Sequence, residues 1–128
     1  MLRDLSLANK AACSAEDQAS LITIVKELVL LSELVSKKGL LALEEELRNV
    51  SDPLLKIGLQ LIIDKIDLDN IRDILDSDIY YNESNGRELL KKIIIREGLL
   101  RIQAGDPARI VKICTSVFLN KVDQKLLE

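Results

Sequence analysis

Three consecutive carboxylates, Glu44, Glu45 and Glu46, follow closely on a pair of lysines, Lys37 and Lys38, in the run KKGLLALEEEL. Carboxylates can build metal sites and acid–base pairs. Adjacent residues on a helix point about 100° apart, however, so three in a row do not converge on one ion. Histidine is absent, which removes the commonest general base and metal ligand and every Ser/His/Asp or Cys/His set. Cys13 and Cys114 lie far apart and form no CxxC spacing, as expected of two free thiols in a reducing compartment. Gly105 before Asp106-Pro107 reads as a helix-to-helix turn, because a phosphate loop needs several glycines and usually a lysine. The residues therefore predict no catalytic centre, no cofactor and no metal. What remains is surface. Lys37 and Lys38 lie on one side of Gly39, and Glu44, Glu45, Glu46 and then Arg48 lie on the other. Two signs of charge at one corner could steer a charged protein partner in a salt-dependent way, the plain alternative being a solvated helix face.

Such a corner needs a scaffold, and the composition says which kind. The chain has 128 residues, 48% of them apolar, and a formal net charge of −3 with both signs interspersed. That suits one compact domain over 1–128 with a real core rather than a disordered chain. The apolar residues are nearly all Leu, Ile, Val and Ala, and Tyr80, Tyr81 and Phe118 are the only aromatics. Aliphatic side chains led by leucine predict packed helices rather than strands. A mildly acidic, aromatic-poor chain lacks the basic face and stacking rings of a nucleic-acid binder. The opening residues lack the apolar core of a signal peptide, and no stretch approaches the ~18 uncharged apolar residues of a membrane helix. A soluble, cytoplasmic chain without membrane insertion is expected.

Along the chain, Ser14 with Asp17 predicts a helix start close to a capping box. Apolar residues at Leu21, Ile24, Val25, Leu28, Leu31, Leu34 and Val35 carry that helix to about Ser36. Gly39 interrupts it, and Leu40 to Arg48 reads as a short second helix. Asp52-Pro53 opens the next, to about Ile66, polar only at Lys56, Gln60 and Asp64 and so expected at the centre of the core. Asp67 or Asp69 starts a helix that buries Ile71, Ile74, Leu75 and Ile79. After the NESNG loop at 82–86, a helix from Arg87 to about Ala104 turns Leu90, Ile93, Ile94 and Leu100 inward. Asp106-Pro107 repeats the Asp-Pro start, and the last helix is expected to bury Ile110, Ile113, Cys114, Val117 and Phe118, with the tail after Asn120 fraying. The sum is an all-α, single-domain, compact bundle of about five to seven helices. Gly39 to Glu44 also echoes Gly98 to Gln103, either as a duplication or as a chance likeness of leucine-rich helices.

The segment ELVSKKGLLALEEELRNVSDPLLKIGLQLIIDKIDLDNIRDILDSDI resembles the cytoplasmic region of MotA, the flagellar stator protein of the MotA/TolQ/ExbB-like family. It carries that region's GLLALEEE run, DP-F/L-L segment and GLQL-V/I-V/I-D stretch. The segment IREGLLRIQAGDPARIVKICTSVF is similar to the cytoplasmic tail that closes MotA. By this resemblance 13–80 matches the cytoplasmic loop, 93–119 matches the tail, and 81–92 stands where two membrane helices separate them. The resemblance implies an all-helical cytoplasmic domain, either a natural soluble relative of the stator or its cytoplasmic parts with the membrane helices removed, that cannot conduct ions by itself. It also implies contact with the rotor protein FliG, or with stator subunits, through charges of both signs. By position relative to Gly39, the acidic role falls on Glu44. The basic position falls on Ser36, with Lys37 and Lys38 displaced by one and two residues. The partner-binding set is therefore Lys37, Lys38, Glu44, Glu45, Glu46 and Arg48. Lys65-Ile66-Asp67-Leu68 departs from the family's Gly-x-Asp-Pro, so a different turn is expected there. A self-associating helical scaffold, with a possible homo-oligomer, is the alternative.

Overall fold

Side-chain acceptors decide where the chain enters the helices that open at Ser14, Asp52 and Asp67. In the computed structural model, which describes residues 5–128, a short α1 (Leu5–Lys10) leads to Ser14, whose hydroxyl accepts the Asp17 N–H at 3.0 Å and opens α2 (Ala15–Ser20). Residues 1–4 of the expected domain lie outside the described residues. Leu21 then separates α2 from α3 (Ile22–Lys38), so the single helix expected from Ser14 to Ser36 is two. The Ser20 hydroxyl donates to the Asp17 carbonyl at 2.6 Å and the Thr23 hydroxyl to the Ser20 carbonyl at 3.4 Å, back-bonding of the kind that bends helices. Gly39 ends α3, and α4 (Ala42–Glu46) runs into a 3-10 turn, Leu47–Asn49. The Asp52 carboxylate accepts the Leu55 N–H at 3.0 Å and Pro53 takes the first turn of α5 (Pro53–Ile63). Asp67 caps α6 (Leu68–Tyr81) by accepting from Asn70, and α7 (Gly86–Gln103) and α8 (Ala108–Ser116) follow. The second Asp-Pro does not repeat the first. Pro107 itself occupies the cap of α8, and the Asp106 carboxylate faces Arg101 at 3.4 Å.

Among the described residues all regular structure is helical, and five helices of nine or more residues (α3 and α5–α8) form the body. The axis is α7 rather than α5. It packs against α3, α5, α6 and α8, and ten of its residues are buried. α5 buries Leu54, Leu55, Leu59 and Ile62 but leaves Lys56, Ile57 and Gln60 to solvent, as a helix covered on one side does. Two glycines allow the close approaches. A Cβ at Gly98 would lie 2.6 Å from Leu28 Cδ1, and one at Gly58 would lie 2.2 Å from Leu99 Cδ1. Gly98 is thus a mid-helix packing residue whereas Gly39 is an exposed helix end, so the sequence echo is not a repeated structure.

Three further expectations are corrected. α8 buries Val111 and Thr115, with Leu119 beyond, while Ile113 and Val117 are 54% and 67% exposed. Its apolar residues form two adjacent stripes, and α3 and α7 cover the one containing Thr115, whose hydroxyl is satisfied by the Val111 carbonyl at 2.7 Å. Ile74 on α6 is likewise exposed. The tail does not fray. Val122 and Leu127 are buried, a 3-10 turn at Gln124–Leu127 packs on α3, and the Gln18 amide accepts the Lys121 N–H at 2.9 Å. Lys65 also makes the turn that glycine usually makes. At φ +60° it lets the Ile66 N–H reach the Leu61 carbonyl at 3.1 Å, just as Gly105 at φ +79° lets Asp106 reach Arg101 at 3.0 Å.

Candidate functional site

The corner at Gly39 is built from apolar anchors alternating with charges. Lys37 and Lys38 fill the last turn of α3, where cations complement the carbonyl end of a helix. The Gly39 N–H donates to the Val35 carbonyl at 2.8 Å, and a φ of +83° turns the chain away. Leu43 is fully buried, and Leu40 and Leu47 pack on the core, so the short α4 is pinned on one face. That pinning turns Glu44 and Glu45 outward, leaves Glu46 half-buried, and exposes Arg48 on the 3-10 turn.

Among the described residues none of these six charged side chains takes part in a salt bridge or side-chain hydrogen bond. Elsewhere the fold uses its charges internally. Lys91 on α7 reaches the capping Asp52 at 3.1 Å and Glu88 at 2.9 Å, tying α5 to α7. The hydrogen bond from Lys91 holds the Glu88 carboxyl below its ordinary value. Burial pulls Lys91 down, but its bonds to Glu88 and Asp52 outweigh that and raise it. Arg96, buried in α7, holds Asp76 of α6 at 2.5 Å and Glu97 at 3.1 Å. Cys13 and Cys114 are free thiols, and burial pushes Cys13 up. Among the described residues no group of three or more Cys, Asp or Glu is placed to hold a metal ion.

Two residues beside the corner escaped the sequence reading. Glu27 of α3 shares an open groove with Glu46 and Val50, and burial first, then the charge of Asp52, raises its carboxyl above the ordinary value. Leu30, on the ridge of that groove, is 64% exposed. The available signal was that Leu30 is an apolar residue off the inward 3.6-residue stripe.

No family model matches the chain, and no solved structure matches it. Among curated proteins, Motility protein A of Borreliella burgdorferi is 44% identical over 54 residues, 42% of this chain and 21% of that protein. Motility protein A of Treponema pallidum is 37% identical over 60 residues, 47% of this chain and 23% of that protein. The uncharacterized protein YtxD of Bacillus subtilis is 39% identical over 83 residues, 65% of this chain and 30% of that protein. The chain thus spans less than a third of the length of these curated relatives, and no helix among its described residues is long and apolar enough to cross a membrane. Over the portion these matches cover, the chain is MotA-like.

Proposed function

We propose that the chain is a stator-type cytoplasmic domain that works by protein–protein contact at the Gly39 bend, without catalysis or ion conduction of its own. The observation that carries this reading is a set of exposed charges of both signs, free of internal partners, on a bend fixed by the buried Leu43. Charges left unpaired on a rigid corner are available to a partner at little reorganisation cost. The likeness to Motility protein A supplies the context. The proposed partner is a rotor protein of the FliG type, with a stator subunit second. Glu44 takes the acidic role, Lys37 and Lys38 the basic one, and Glu45, Glu46 and Arg48 border them. Supporting the segment assignment, the portion likened to the cytoplasmic loop and the portion likened to the tail share one core, with α3 packed on both α7 and α8.

The test is binding to the C-terminal domain of FliG at low and high salt, with wild type and Glu44→Lys side by side. Binding at low salt, weakened by salt and by roughly tenfold or more in the variant, is expected. No binding at low salt, or binding indifferent to the swap, overturns the reading.

A further inference from the structure

Between α3 and the end of α4 runs an open groove of about 300 Å³, floored by Leu31, Leu34 and Val50. Its charges are two half-buried carboxylates, Glu27 of α3 and Glu46 of α4, and no lysine or arginine lines it. Arg48 follows on the 3-10 turn but is exposed and lies outside the lining. Neither carboxylate has a salt bridge or side-chain hydrogen bond among the described residues. Half-buried Asp52, Asp76 and Asp78, by contrast, are each matched by a cation of α7: Lys91, Arg96 and Lys92. Burial and the charge of Asp52 both raise the Glu27 carboxyl, as befits a negative charge with no cation to offset it. On the ridge of the groove stands Leu30, 64% exposed.

We propose that this groove is the docking slot for an arginine side chain of a partner protein, carried on a segment whose neighbouring apolar residue covers Leu30. Charge selects the occupant, since every charged group in the lining is an acid without a cation. An arginine brings an aliphatic stem for the floor of Leu31, Leu34 and Val50. Its planar guanidinium brings five donors for Glu27, Glu46 and the side-chain oxygen of Asn49, which also lines the groove. A lysine ammonium is more strongly hydrated and has fewer donors, so it gains less there. A free small cation satisfies the carboxylates but leaves Leu30 bare, whereas a protein segment covers both. The slot lies between α3 and α4, while Glu44 and Glu45 face solvent, so it is a separate surface from the outer side of the Gly39 bend.

The test is an NMR titration of the full chain at about 100 mM salt. The probe is a short acetylated and amidated peptide of alanine and glutamine, carrying one arginine and one leucine a turn apart. Saturable shifts at Leu30, Leu31, Leu34 and Val50 are expected, and the Glu27 carboxyl should titrate lower in the bound form, because a nearby cation favours the carboxylate. Replacing the arginine of the peptide by citrulline, its neutral isostere, should weaken binding by roughly tenfold or more, and lysine by roughly threefold. Glu27→Gln, Glu46→Gln and Leu30→Ser should each weaken it by roughly threefold or more while circular dichroism shows an unchanged fold. No saturable binding, or binding indifferent to citrulline or to both glutamine variants, overturns the proposal. Shifts spread evenly over Glu44 and Glu45 overturn it as unselective surface attraction. Groove shifts produced by raising the protein concentration alone overturn it in favour of a second copy. The inference does not rest on the rotor reading. Glu44→Lys should change peptide binding by less than about twofold, so failure of one reading is distinguishable from failure of the other.

Discussion

At the scale of single residues, Lys65 and Glu27 each hold a state that another side chain would hold more comfortably. Lys65 sits at φ +60°, where a side chain clashes with its own backbone by roughly 1–2 kcal/mol. Lys65→Gly removes that strain but loosens the unfolded chain, so a net gain of about 0.5 kcal/mol is expected from urea denaturation. A loss would mean that the lysine makes contacts outweighing its strain. Glu27 is buried enough, and near enough to Asp52, that the folded state binds its proton more tightly than the unfolded state, whose glutamate titrates near 4.5. A raised carboxyl takes up protons on folding, so its contribution to stability falls as pH rises above that value. Glu27→Gln should therefore raise Tm at neutral pH and change it little near about pH 4, a contrast that melts at the two pH values will reveal. Glu88 has the opposite sign. Its lowered carboxyl stabilises at neutral pH, and that contribution fades as pH falls below 4.5.

At the scale of elements, helix starts were legible in the sequence wherever one residue and its near neighbours close the hydrogen bond. Ser14, Asp52 and Asp67 do this within three residues. Asp52 carries a second duty that no local rule contains, since it also holds Lys91 of α7. Asp52→Ala should lose both the cap and the bridge, about 1–2 kcal/mol by denaturant midpoint, whereas Asp52→Asn keeps the cap and isolates the bridge. Equal losses in the two variants would show that the cap contributes nothing. Asp106-Pro107 looked like the same signal and is not, because Asp106 is drawn to Arg101 of the preceding helix. The corner charges were legible for a local reason: a helix end, a glycine turn and the anchors Leu40, Leu43 and Leu47 leave the intervening side chains outside. Glu27 and Leu30 were not legible. Their surroundings come from Val50 and α8, far along the chain.

At the scale of the whole molecule, the two ends of the chain are fastened together. Gln18 near the start holds Asn120 and Lys121, and the Lys121 ammonium reaches the Cys13 carbonyl at 2.6 Å. Val122 and Leu127 complete the core over α3. Deleting residues 121–128 should lower stability by about 3 kcal/mol or more, the order expected for exposing two aliphatic side chains and the surface beneath them. Unchanged stability in a thermal melt would mean that the tail merely rests on the surface.

The sequence alone determined that the chain is helical, where most helices begin, and that charges of both signs flank Gly39. Those properties depend on composition, on the 3.6-residue period, and on hydrogen bonds reaching only a few residues. The tertiary structure decided that α7 rather than α5 is the axis, which of two apolar stripes α8 buries, that the tail docks, and that Leu30 stays bare between two grooves. An apolar stripe records only that a helix has a face to bury. Which neighbour covers it, and what is left uncovered, is settled by contacts between residues distant in the chain.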